Sequence, residues 1–164
     1  MTNLTYKQVN VVIVFNTDET DVLMCLRMKN PYLGLYNFLG GKKETQETDL
    51  EGAYRELYEE SGISKNNIEL KPLFTTQYHQ DGIELQVFYG TLQDMTITLV
   101  PEKHPLHWIT IIGTDFADET KFAGQGNIKH MIEIIRESKQ KKALSFRQGL
   151  LCVLHTRIYI FKIE

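Results

Sequence analysis

What this chain has little of narrows its class before any motif is read. It has only two cysteines, Cys25 and Cys152, each inside an apolar run. No disulfide framework is therefore expected, and both read as buried reduced thiols. Basic charge is not in excess: 18 Lys and Arg against 21 Asp and Glu leave a formal net charge of −3. A broad nucleic-acid face needs the opposite balance, so no nucleic-acid partner is expected. No apolar run approaches transmembrane length, and the opening Met1-Thr2-Asn3-Leu4 is no signal peptide. No membrane association is expected, and the cytoplasm is the default compartment. Internal repeats, low-complexity tracts and Ser/Thr/Gly-rich linkers are missing too. The 164 residues then suit one domain, 1–164, with a substantial core.

The stretch from Gly40 to Ile63 is the most informative part of what is there. Thr48 followed by Glu51 forms a capping box, which predicts a helix with Thr48 as its N-cap, and Gly62 is a natural left-handed stop. Leu50, Ala53, Tyr54, Leu57 and Ser61 recur at helical spacing as a mostly apolar stripe for a core. Glu56, Glu59 and Glu60 share a different face. Like charges there repel, and acids near a helix C-terminus oppose its dipole, each at about a few tenths of a kcal/mol when solvated. Helix building alone would place glutamates in the first turn. A divalent cation removes the conflict, because hard ions such as Mg²⁺ take one or two carboxylates together with phosphate oxygens. The competing reading is a solvated acidic face.

Gly41, five residues, Glu47, seven residues, then Arg55-Glu56-Leu57-Tyr58-Glu59-Glu60-Ser61-Gly62-Ile63 resembles an unbroken Nudix box, with every fixed position filled over 23 residues. The resemblance implies an α/β fold, a Nudix-type α/β/α sandwich with a mixed β-sheet. It also implies hydrolysis of a nucleoside diphosphate linked to another moiety, with Mg²⁺ or Mn²⁺ as cofactor. The expected metal set is Gly41 through its carbonyl, Glu56, Glu59 and Glu60. Glu56 and Glu59 carry the catalytic expectation, and Glu56 is the first choice to orient or deprotonate the attacking water. Glu47 paired with Arg55 is expected to fix the loop against the helix, a structural role.

Around the box the chain reads as strands and turns. Val9–Phe15 and Val22–Leu26 predict a hairpin around Thr17–Thr20, and Ile68–Gln77 with Glu84–Leu92 predict a second around Asp81-Gly82. Ile83, Leu85, Val87 and Tyr89 alternate as for a sheet with one face covered. Thr96–Val100 reads as another short strand, and Trp108 as core. Asn127 reads as the cap of a helix to about Lys141, with Ile128, Met131, Ile132 and Ile135 as its stripe. Residues 143–164 are a C-terminal extension, with Leu150–Leu154 and Arg157–Ile163 β-prone enough for an added hairpin or a dimer-edge strand.

Several residues outside the box are candidates for the substrate. Arg27 closes the second strand, where it is either a solvated strand end or a phosphate contact, and the family commonly turns an arginine there toward substrate. Tyr36-Asn37-Phe38-Leu39-Gly40-Gly41 partly resembles the Trp-Asn-Gly-Phe-Gly-Gly approach of MutT-like enzymes that act on oxidised purine nucleotides. Tyr36 replaces the tryptophan and Phe38 the first glycine. Asn37 then lies where those enzymes read the purine edge, a task that suits an amide's paired donor and acceptor; alternatively it supports the turn. Lys42 or Lys43 can meet a phosphate as a point charge. Glu102 resembles a remote metal ligand or general base, against a plain loop acid. Asn127 resembles a second purine-reading position, against its capping role. His104 and His107 lack the spacing of a zinc site.

The expectation is thus a Mg-dependent hydrolase of a nucleoside polyphosphate, first an oxidised purine triphosphate such as 8-oxo-dGTP, releasing monophosphate and pyrophosphate. A hydrolase of NDP-sugars or dinucleotide polyphosphates and a catalytically silent nucleotide-binding module are the alternatives. The partner is a small-molecule nucleotide, and the chain a monomer or homodimer.

Overall fold

The computed structural model describes residues 6–160, with side chains to residue 146. They fall into two compact units, one running to Ile128 and one starting at Lys129. The first holds six strands, β1 (Lys7–Phe15), β2 (Asp21–Leu26), β3 (Tyr36–Asn37), β4 (Lys71–Tyr78), β5 (Ile83–Thr91) and β6 (Leu106–Thr110), and helix α1 (Asp49–Ser61). Helix α2 (Asn127–Ile160) makes up the second. This is a mixed α/β fold with a mixed sheet and two helices. No described helix is long and apolar enough to cross a membrane.

Both predicted hairpins form. β1 pairs antiparallel with β2, and β4 with β5. β1 and β5 run parallel through nine registered pairs, from Lys7 opposite Ile83 to Phe15 opposite Thr91. The sheet order is β3-β2-β1-β5-β4, with β6 also on β2. Val12, Val14 and Leu23 are fully buried and pack with Ala53 and Leu57 of α1, so the helix covers one sheet face. Gln86 to Gly90 are all buried in β5. Side chains on both faces of β5 are therefore buried over this stretch, and the alternation leaves neither face open.

One departure from regular pairing places the functional loop. β1 meets β2 only at Val14 and Phe15, and the two strands part below that point. Residues 36–43 fill the wedge. Tyr36 and Asn37 pair with Leu26 and Cys25 on β2, while Leu39 and Lys42 bridge to Val12 and Val9 on β1. The glycine loop is thus part of the sheet.

α1 starts and stops as its sequence predicts. Thr48 caps it with both capping-box bonds made, and Gly62 closes it at φ 76°. Leu50 is the exception in its stripe, at 40% exposure: in the first turn it lines an open groove with Pro72, Phe74 and Phe88 instead of entering the core. The expected strand at Thr96–Val100 does not form. Val100 N–H donates to the Ser61 carbonyl and Asp94 caps Thr96, but no neighbouring strand offers a ladder. Ile97 and Leu99 pack on the core all the same. Trp108 also packs there.

α2 differs from expectation at both ends. Asn127 is its first helical residue, so the cap position is Gly126, and the Asn127 N–H goes to the Gly124 carbonyl. Ile128, Met131, Ile132 and Ile135 are buried as expected. The helix does not stop near Lys141 but continues to Ile160 in place of the hairpin. The run from Ser138 to Gln148 has no proline or glycine and is dominated by the helix formers Lys, Gln and Arg, so its own i to i−4 bonds favour continuing the helix. The side chain of Cys152 lies outside the described residues. Cys25 is buried and free.

Candidate active site

The site collects where β1 and β2 part. α1 supplies Glu56, Glu59 and Glu60, the wedge supplies Asn37 to Lys42, the end of β2 supplies Cys25 and Arg27, and the approach to β6 supplies Glu102 to Leu106.

Arg55 organises the carboxylates. Its Nε and Nη2 donate to both oxygens of Glu47 at 3.0 and 2.7 Å, and Nη2 also donates to the Lys42 carbonyl at 2.9 Å. Nη1 donates to Glu56 at 2.9 Å and to Glu59 at 3.3 Å. Every arm of the guanidinium has a partner, and the planar fork matches Glu47 in the bidentate way arginine favours. The pair holds Glu47 below the ordinary carboxylate range and raises Arg55 above its own. Glu47 also accepts from the Glu44 N–H at 2.7 Å. These bonds tie the loop to the helix.

Glu60 is in a different situation. It accepts one N–H bond, from Gly40 at 2.8 Å, and is otherwise largely buried. Burial pushes its carboxyl up to about 7; the Gly40 N–H opposes this, Glu56 and Glu102 add to it, and Arg27 offsets it. Glu102 therefore lies within electrostatic reach of the α1 carboxylates. Its own oxygen is 2.6 Å from Lys103 Nζ, and Lys103 in turn feels Glu56 and Glu60. The Glu56 carboxyl lies against Gly41, 2.4 Å from where a Cβ there would be. A side chain at that position would push the Glu56 carboxyl, the free end of its side chain, out of this place.

Among the described residues, no group of three His, Cys, Asp or Glu side chains stands at metal-binding spacing. The reason is visible: Arg55 draws Glu56 and Glu59 together while Glu60 turns to Gly40. The donor set nonetheless fits a hard dication. Two carboxylates already converge on one cationic group, a third is buried beside Glu56 and Glu102, and the Gly41 peptide lies beneath Glu56.

The remaining candidates divide. Asn37 sits beside Cys25 in register, and its Oδ1 accepts from the Phe38 N–H at 2.9 Å, which leaves its N–H₂ to be offered. Tyr36 forms an aromatic group with His107, edge-on at 5.6 Å, and Phe122 at 6.0 Å. Phe38, read from sequence as a substrate contact, is instead a core side chain at 5% exposure. Lys42 is exposed, whereas Lys43 is held by Asp49 at 2.6 Å. Arg27 has a buried Nε with no hydrogen-bond partner, within reach of Glu60. Asn127 is exposed, four residues past the Ala123 N–H that donates to the Tyr36 carbonyl.

Sequence reasoning singled out neither Lys103 nor Asn10, and weighed His104 only as a zinc ligand. Lys103 is a plain exposed lysine until the fold brings it to the carboxylates. His104 is buried and accepts the Met28 N–H at 3.1 Å, and burial lowers its pKa. Only Asn10 had a signal, a lone amide inside Val9-Asn10-Val11-Val12.

The NUDIX domain model matches residues 6–120. No curated protein matches the chain. Solved structures resemble it at low identity. One is a MutT, from work on the Aliivibrio salmonicida and Vibrio cholerae proteins, at 19% identity and TM-score 0.60, covering 80% of this chain and 98% of that one. Another is the NUDIX domain of Shewanella oneidensis NrtR complexed with ADP ribose, at 17% and 0.62, covering 81% and 88%. A NUDIX hydrolase from Nitrosomonas europaea stands at 20% and 0.60, covering 79% and 71%.

Proposed function

The chain belongs to the Nudix family as a pyrophosphohydrolase, and from that premise we propose that it hydrolyses a purine nucleoside triphosphate, first of all an oxidised one, to the monophosphate and pyrophosphate. The observation that carries the reading is the placement of Asn37 and Tyr36 in the same wedge that holds Gly40 and Gly41 against Glu56 and Glu60.

A base seated beside Tyr36 can meet the Asn37 N–H₂, since the Phe38 N–H orients the amide by donating to Oδ1. A donor there meets an acceptor such as the O6 shared by guanine and its 8-oxo form. Lys42, exposed on the glycine loop, and Arg27, with its unpartnered Nε, are the cations for the phosphates. Gly41 through its carbonyl, Glu56, Glu59, Glu60 and Glu102 are the residues that would hold Mg²⁺ or Mn²⁺. When bound, such an ion neutralises phosphate charge and lowers the pKa of a water. Glu56, held over Gly41, accepts the proton of the attacking water, and Glu102 is the second choice for that role. General-base help of this kind is worth roughly 10² to 10⁴-fold.

A second reading, a linked diphosphate such as ADP-ribose or an NDP-sugar, is favoured by the likeness to the NrtR domain complexed with ADP ribose. One experiment separates them: a panel with Mg²⁺ of oxidised and normal dNTPs, ADP-ribose, NDP-sugars and dinucleotide polyphosphates. Fastest pyrophosphate release from oxidised dGTP is expected. Glu59→Gln should nearly abolish it with the fold intact, and Asn37→Ala should erase the preference between bases. Preferred turnover of ADP-ribose overturns the substrate; unchanged turnover by Glu59→Gln overturns the site.

A further inference from the structure

We propose that Asn10 is a positioning residue for the glycine turn, holding the Gly41 peptide in place through its side-chain carbonyl where the main-chain ladder cannot. The proposal rests on the metal-dependent reading above.

The bridges Val9 to Lys42 and Val12 to Leu39 set an antiparallel register in which Asn10 faces Gly41. Such a pair normally exchanges two main-chain bonds. One is made, from Asn10 N–H to the Gly41 carbonyl at 2.8 Å. The Gly41 N–H goes instead to the Asn10 side-chain Oδ1 at 3.3 Å. The cause lies one residue back. Gly40 sits at φ 136°, pressed so close that a Cβ there would lie 2.2 Å from the Asn10 carbonyl oxygen. The turn needed to aim Gly40 at Glu60 breaks the ladder, and the asparagine amide reaches across the break. Asn10 thereby grips both ends of the Gly41 residue, its N–H and its carbonyl.

The strand offers no other reason for the residue. Asn10 is 1% exposed in a β-branched run, where burying an amide is unfavourable. Its Nδ2 has no hydrogen-bond partner and lies 3.4 Å from where a Cβ on Gly52 of α1 would stand. The opposite amide orientation would set two N–H donors against each other at Gly41. The acceptor is the working half of the side chain, and a local rule broken beside a site is where function is expected. Groups that orient ligands without touching the ion typically change metal affinity 10 to 100-fold when removed.

The test uses Asn10→Leu, close in volume and lacking the acceptor, with Asn10→Ser as a second variant should leucine not fold. Gln86→Leu is the control: Gln86 on β5 stands opposite Asn10 in register, is also buried and has an unpartnered Oε1, but does not bond the turn. Two readouts are taken, Mn²⁺ affinity from the paramagnetic signal of free ion and hydrogen exchange at the Gly41 amide in metal-free protein. Expected for the Asn10 variants are about tenfold weaker Mn²⁺ binding and about tenfold faster Gly41 exchange, with Gln86→Leu unchanged in both. Wild-type values for both readouts in a folded Asn10 variant overturn the proposal, as does an equal loss in Gln86→Leu. Wild-type protein that binds no Mn²⁺ overturns the metal-dependent reading, and the exchange of Gly41 then still reports on Asn10 by itself.

Discussion

Glu60→Gln should make the metal-free protein more stable at pH 8 and leave it unchanged at pH 3.5. The folded chain holds the Glu60 carboxyl at about 7 against an ordinary 4.5, chiefly because burial disfavours its charged form. A group whose folded pKa is raised favours folding fully below the unfolded value. As pH climbs from 4.5 through 7 the unfolded chain loses that proton first, so this contribution is lost across the interval. At ~1.36 kcal/mol per tenfold, the loss amounts to about 3 kcal/mol by pH 8. Glutamine keeps an acceptor for the Gly40 N–H at 2.8 Å and carries no charge beside Glu56 and Glu102. Urea unfolding with a chelator, followed by the emission of Trp108, the single tryptophan, measures the difference. The variant should exceed wild type by about 2–3 kcal/mol at pH 8 and by roughly nothing at pH 3.5. Adding Mg²⁺ should narrow the gap at pH 8, because an ion that binds the folded state alone stabilises it. A variant less stable than wild type at pH 8, or a gap that does not change with pH, would refute the assignment of buried strain to Glu60.

Three further outcomes follow from the same geometry. Arg55→Met strips Glu47, whose side chain is 14% exposed, of its bidentate partner, and should cost about 2 kcal/mol at pH 7, below the figure for a fully buried pair. Since Arg55 holds the Glu47 pKa down, that cost should shrink as pH falls below the carboxylate range, and urea titrations at pH 7 and pH 3.5 check it. Thr48→Ala removes the bond to the Glu51 N–H and should cost about 1 kcal/mol, with Thr48→Ser near wild type in the same assay. Burial pushes the Cys25 thiol up to about 11. In a Cys152→Ser background a thiol-specific reagent at pH 8 should therefore label the protein only as fast as it unfolds.

The sequence by itself determined what is local. Thr48, Glu51 and Gly62 set both ends of α1, because capping is decided within four residues. The spacing of Arg55, Glu56, Glu59 and Glu60 set which side chains share a helix face, and the two hairpins followed from apolar runs around turn residues. Other outcomes rested on partners far along the chain. Thr96–Val100 has strand composition but no neighbour to pair with, and Phe38 adjoins the glycines yet faces the core. The helical continuation past Lys141 turned on whether a β partner exists, which no run of residues announces. Lys103 acquires meaning only when the fold sets it by carboxylates more than forty residues earlier. Asn10 is the sharpest case. Its amide was an oddity in an apolar strand until β1 and β2 parted and left Gly41 beside it. Helix ends and faces are written in short-range bonds, whereas the wedge that makes the site exists only where two strands separate in three dimensions.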